Sequence, residues 1–167
     1  MSDENNRADA IKKLGELIKG IQIAMLTTVE SDGALRSRPM ATQQVEFDGD
    51  LWFFLGASSP KAQEIARDQR VNISYADPDD HRYVSVSGAG ELLRDEAKMR
   101  ELWNPVYKIW FKDGLDDPDL ALLRVHVEQA EYWDSPSSKM MQLVGFVKAL
   151  ATGDDSSLGE NEKIALA

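Results

Sequence analysis

Two short clusters in this sequence carry the residue types that hold a phosphate group. The first is RSRP, residues 36–39. Arg36 and Arg38 stand two apart in a strand-like run, so both guanidinium groups leave the same side of a sheet. A guanidinium grips two anionic oxygens at once with its planar fork of N–H donors. The second cluster is SPK, residues 59–61. Serine is a favoured N-cap, and proline suits the first helical position, where its missing N–H costs nothing. A helix start also presents unpaired backbone N–H groups and a partial positive charge. Lys61 adds a point charge, and the Ser59 hydroxyl adds a neutral hydrogen bond. Together they describe a cradle for one doubly charged group. No nearby side chain is marked as a general acid, base or nucleophile.

Positioning these residues needs a particular set of elements. Asp48-Gly49 reads as a tight turn, so residues 35–47 and 51–55 are expected to pair and carry the arginines towards the helix start. Further strands are predicted over 21–29, 71–76, 81–93 and 122–133, from alternating apolar residues bounded by turn signals. Pro39 implies an edge, a bulge or a ligand-facing segment, and Gly88 and Gly90 mark bends. Residues 7–20 and 60–69 read as helices, 96–103 and 105–111 as helical or irregular connections, and 113–119 as an acidic loop. Residues 139–150 have helical periodicity. The fold expected is mainly β (α+β), a small β-barrel or sandwich with flanking helices. A single domain over residues 1–150 precedes a polar tail, 151–167, in which IALA offers a terminal contact.

Composition narrows the function. The chain has 167 residues, 43% of them hydrophobic, and a formal net charge of −10. That acidity opposes non-specific binding to nucleic acid or an anionic membrane, and makes any local Arg/Lys cluster more informative. No apolar run approaches the ~18–20 residues of a membrane helix, and the polar start lacks the regions of a signal peptide. Cysteine is absent. A soluble cytoplasmic protein is expected. Walker-type and GxGxxG glycine spacings are missing. His81 and His126 have no partner at metal-ligand spacing, so no metal is expected, and no Ser-His-Asp arrangement can be read. Trp52, Phe53 and Phe54 read as core. Trp133 ends a strand before a Pro/Ser loop, where an indole lines a pocket or packs a rim.

The run RSRPM…F-DGDLWFFLGASSPKAQEIARDQRVNISY, followed by HRYVSVSGAGELL and AEYWD, resembles the flavin-binding split barrels related to pyridoxamine phosphate oxidase, in particular their bacterial general-stress-protein branch. The likeness runs from about residue 21 to 141. It implies a six-stranded antiparallel split β-barrel, a homodimer, and FMN in each of two clefts between subunits. It assigns the phosphate to Arg38, Ser59 and Lys61, while Arg36 is placed beside them by the strand spacing alone. The backbone of Pro39, Met40 and Ala41 would run along the flavin, with Phe54 and Leu55 flanking it. Tyr83 would lie near the ring, and Trp133 would reach it from the partner subunit. The sequence also departs from the oxidase. Gln43 stands where a substrate-contacting lysine is expected, Pro60 replaces an arginine, and DSPSSKMM replaces a basic Arg-x-His segment. Oxidation of vitamin B6 is therefore not expected. The resemblance implies an FMN-dependent oxidoreductase acting on a small molecule. A flavin carrier or redox sensor without turnover is the alternative, as is a binder of FAD, a deazaflavin or haem on the same scaffold.

Overall fold

The structure, a computed structural model, describes residues 2–134, 150 and 160–166. The helix expected over 139–150 lies outside them apart from Leu150. A long helix, α1 (Ser2–Ile18), buries Leu14 and Leu17 against the sheet. Strands β1 (Ile23–Val29), β2 (Leu35–Ala41) and β3 (Asp50–Gly56) follow. Helix α2 (Pro60–Arg67) leads to β4 (Arg70–Asp77) and β5 (Arg82–Leu93). Helix α3 (Glu96–Leu102) and two 3-10 turns, Pro105–Ile109 and Gly114–Asp116, connect to β6 (Leu120–Asp134). A last strand, β7 (Glu160–Ala165), pairs with β6, and Leu166 lodges in the core. Among the described residues no helix is long and apolar enough to cross a membrane.

All ladders are antiparallel, and the strand order is β2-β1-β4-β5-β6-β3, with β7 also on β6. This corrects the sequence reading in two ways. Among the described residues the sheet has seven strands and stays open, because no ladder joins its end strands β2 and β3; it is not a closed six-stranded barrel. The hairpin expected at Asp48-Gly49 does not form either. The connection through residues 42–49 is held by its own buried contacts. The Thr42 hydroxyl donates to the Ile21 carbonyl at 2.5 Å, and Phe47 packs into the core beside Gly15 of α1. With its lead-in anchored there, β3 finds its partner in β6, from Asp50↔His126 to Gly56↔Leu120. Pro39 does lie in an edge strand, where a missing N–H interrupts no central ladder.

The main core fills one face of the sheet, beneath α1 and α2. A smaller cluster gathers Phe54, Met99, Leu102, Tyr107, Leu120 and Leu122 under α3. The bend foreseen at Gly88 is a β-bulge between Ser87 and Gly88. A Cβ on Gly88 would stand 2.2 Å from the carbonyl oxygen of His126, a backbone atom that cannot step aside. Gly88→Ala should therefore cost about 2–3 kcal/mol in chemical denaturation, through forced displacement of the β5–β6 ladder. Wild-type stability would mean that the bulge relaxes freely.

Candidate functional site

The cationic residues come together through β1. In the β1–β2 ladder Leu26 faces Arg38 and Thr28 faces Arg36, so both arginines share the side of the sheet on which α2 packs. Helix α2 begins as its sequence dictates. Ser59 is the N-cap, accepting from the Ala62 N–H, and Pro60 occupies the first turn. The buried face of α2 carries Ala62, Ile65 and, between them, Glu64, only 6% exposed. Arg38 Nη2 donates to Glu64 Oε2 at 2.9 Å, and its Nη1 donates to Thr28 Oγ1 at 2.6 Å. The Thr28 hydroxyl in turn donates to Glu64 Oε2 at 2.5 Å. Three elements are tied by one triad.

The electrostatics follow from that geometry. The hydrogen bond from Thr28, then those from and the charge of Arg38, hold the Glu64 carboxyl below its usual range against the opposing effect of burial. Burial, and next the charge of Arg38, lower the Lys61 ammonium from its ordinary value. Lys61 and Arg38 thus share one electrostatic neighbourhood, and the charge of Arg36 also reaches Glu64. Arg38 keeps donors in hand. Of its five N–H groups, those on Nη1 serve Thr28 and, at 3.3 Å, the Arg36 carbonyl, and one on Nη2 serves Glu64. Among the described residues Nε–H and the second Nη2–H have no partner, which leaves them for an anion.

A linkage test arises here. Because the folded carboxyl of Glu64 is held low, its contribution to stability is complete above the ordinary carboxylate range near 4.5 and is lost as pH falls through the depressed folded value. Urea unfolding followed from pH 6 to pH 3 should show that loss, and Glu64→Gln should flatten it. An unchanged slope in the variant would remove Glu64 from the acid response.

The loop before α2 is equally ordered. Ser59 Oγ donates to the Gly56 carbonyl at 2.6 Å. The Asp119 carboxylate receives Ser58 N–H and Ser58 Oγ, each at 2.9 Å, and the Asp119 carbonyl receives the Ala57 N–H at 2.7 Å. A Cβ on Gly56 would come within 2.8 Å of that carboxylate, which explains the glycine.

The remaining sequence-selected residues divide between two sides of the sheet. Met40 and Leu55 are buried in the main core. Phe54 points the other way from Leu55, edge-on to Trp103 and tilted against Tyr107, each with ring centroids 5.5 Å away. Ala41 packs against this aromatic cluster, and Pro39 is exposed. Tyr83 and Trp133 are direct partners across β5 and β6, each 42% exposed, on the face opposite the core. Within one chain, then, Arg36, Arg38, Lys61 and the α2 start converge, while Tyr83 and Trp133 stand apart from them. Thr28, Glu64 and Asp119 escaped the sequence reading. A carboxylate between two buried positions of a short helix was a usable signal for Glu64; nothing local marks Thr28 or Asp119.

Residues 9–157 match the family model described as pyridoxamine 5'-phosphate oxidase like. The chain belongs to that family. Within it, the resemblance to the general stress protein 26 branch holds. The chain is similar to protein bli-3 of Neurospora crassa, 28% identical over 93% of this chain and 79% of that one. A solved structure from Jannaschia sp. CCS1, described as a candidate general stress protein 26, superposes with a TM-score of 0.75. It is 24% identical and covers 95% of this chain and 99% of its own, a likeness of fold. The general stress FMN/FAD binding protein of Xanthomonas citri is 28% identical, with a TM-score of 0.66 over 78% of this chain and 92% of its own. In this family member the oxidase-like sheet therefore carries a cationic cluster at an edge strand and an aromatic cluster one strand-face away.

Proposed function

We propose that the chain binds FMN, with Arg38, Lys61, Arg36 and the start of α2 holding the phosphate, and serves as a flavin-dependent oxidoreductase for a small molecule. The observation that supports the reading is the Arg38–Glu64 ion pair, which ties the edge strand β2 to α2 and sets a guanidinium beside the helix start that carries Lys61 at its second position. The donor set fits a phosphate dianion, and the Xanthomonas relative is described as binding FMN or FAD. When bound, the flavin supplies hydride or single-electron chemistry. The chain's own residues bind, orient and shield: Phe54 and the backbone of residues 39–41 would flank the ring, and no side chain is assigned a proton.

The same reading makes the protein a homodimer. The sheet face away from the core exposes Ile23, Met25, Tyr83 and Trp133, each 39–53% accessible. Four large apolar side chains on one face favour burial against a partner. In such a dimer Trp133 of one subunit would approach the flavin of the other, which accounts for its distance from the cations of its own chain. Absence of the basic segment and of the lysine at Gln43 argues against pyridoxal phosphate as substrate.

The purified protein should carry or take up FMN, read as a flavin absorption spectrum and a saturable titration, and should sediment as a dimer. A protein that neither retains nor binds FMN at micromolar concentration would sink the reading. Bound flavin that is reduced yet passes no electrons to any acceptor would instead favour a carrier.

A further inference from the structure

The guanidinium of Arg38 is held along one edge and left open along another. Its acceptors, Thr28 Oγ1 on Nη1 at 2.6 Å and Glu64 Oε2 on Nη2 at 2.9 Å, are themselves hydrogen-bonded to each other at 2.5 Å. Acceptors this close together lie side by side across the far end of the planar fork, one on each of the parallel N–H groups there. The second N–H of Nη1 turns back to the Arg36 carbonyl at 3.3 Å. What remains is the lateral edge, where Nε–H and the other Nη2–H run parallel. Among the described residues the only buried side-chain polar atom without a partner is Arg82 Nε. Arg38 Nε also lacks a partner there, so it is reached by solvent.

A parallel pair of N–H groups matches two oxygens of one phosphate, the bidentate geometry that suits arginine to this ligand. An unrestrained arginine would lose rotamer freedom on adopting that pose. Here the restraint is already in place. Thr28 is fully buried and Glu64 nearly so, and the triad draws on β1, β2 and α2. Stability is a weak account of the arrangement. Burying a carboxylate and a guanidinium carries a desolvation penalty that their attraction scarcely returns, and apolar residues of similar volume serve a core as well or better. The carboxylate also repels an approaching anion, so its charge does not assist phosphate binding. What the triad does provide is a fixed direction for the lateral edge.

We propose that Thr28 and Glu64 are positioning residues of the phosphate site: they hold Arg38 by the far end of its fork, so that the Nε–H and Nη2–H edge stands ready for two oxygens of a phosphomonoester. The proposal rests on the flavin phosphate lying at Arg38. Neither positioning residue touches the ligand, and their effect is confined to ligands that carry the phosphate.

The test compares FMN with riboflavin, which lacks the phosphate, by flavin fluorescence titration of the full chain, with folding of each variant checked by urea denaturation. Thr28→Val keeps shape and charge but removes the acceptor on Nη1. It should weaken FMN about three- to tenfold, the effect of having to fix one arginine side chain on binding, and leave riboflavin unchanged. Thr28→Ser restores the hydroxyl and should restore the affinity. Glu64→Gln and Glu64→Leu both remove the charge, yet only Glu64→Gln keeps an oxygen for Nη2 and Thr28. Glu64→Gln should therefore bind FMN about three- to tenfold more tightly than Glu64→Leu, whereas a purely electrostatic Glu64 predicts equal affinities. The two pairs are independent, so if one variant does not fold the other pair decides. Wild type that binds FMN no better than riboflavin would overturn the phosphate reading, and the positioning role with it. Wild type that favours FMN, with Thr28→Val as tight as Thr28→Ser and Glu64→Leu as tight as Glu64→Gln, would overturn the positioning role alone. Equal losses of FMN and riboflavin in Thr28→Val would do the same.

Discussion

Arg38→Ala should be the most damaging single substitution at the cationic cluster, lowering apoprotein stability by about 3 kcal/mol and reducing FMN affinity at least a hundredfold. Two losses combine. The guanidinium side chain is only 14% exposed and its partner Glu64 8%, so removing it strands a carboxylate in a nearly dry site. Breaking such a pair from one side typically costs about 3–5 kcal/mol, whereas exposed pairs are worth little. The remaining Thr28 hydroxyl cannot neutralise Glu64. Protonation of the carboxyl would then be favoured, so the variant should recover part of its stability as pH falls towards 5, opposite in sign to the acid response of the wild type. The affinity loss has a separate cause, because the two unused N–H donors of Arg38 disappear with the group. Denaturation at pH 7 and pH 5, with FMN and riboflavin titrations of the folded variant, would check each part. A stable variant that binds FMN as the parent does would show that Arg38 neither holds Glu64 nor faces the phosphate.

Lys61→Ala should give the complementary pattern: FMN affinity reduced about ten- to a hundredfold, with stability nearly unchanged. Lys61 sits at the second position of α2 and makes no salt bridge among the described residues. Its charge is opposed in the free protein by burial and by Arg38. A phosphate dianion would relieve that opposition and raise the depressed ammonium value, so binding takes up a proton at alkaline pH. FMN affinity of the wild type should accordingly weaken as pH rises through the lowered Lys61 value, earlier than an unperturbed lysine would allow. The alanine variant should lose this pH dependence and part of its salt dependence. Riboflavin, which lacks the phosphate, should bind both proteins equally. Equal loss of FMN and riboflavin in Lys61→Ala would place the lysine at the ring end instead.

The contrast between these residues shows how much of the site was legible beforehand. Ser59-Pro60-Lys61 could be read because capping is local physics: a side-chain oxygen three residues from the N–H it serves, and a ring that already has helical φ. The common side of Arg36 and Arg38 could be read because strand side chains alternate. The partner of Arg38 could not. Glu64 lies on a different element, and only its neighbours Ala62 and Ile65 betray that its helix face is turned inward. The expected route of convergence failed for a related reason. A turn signal at Asp48-Gly49 is consistent with a hairpin, but buried contacts at Thr42 and Phe47 outweigh it and send β3 to β6.

By itself the sequence determined the local matters: where α2 starts, which faces of the strands are buried, that Pro39 does not belong in a central ladder and that Gly88 bends its strand. These depend on neighbours a few residues apart, and short-range sterics and periodicity encode them directly. Only the tertiary structure decided which strands share a ladder, that the sheet remains open, and that Thr28, Arg38 and Glu64 meet. Apolar alternation specifies a face to be covered but not the segment that covers it, so the choice of partner falls to whichever packing buries the most surface with every polar group satisfied.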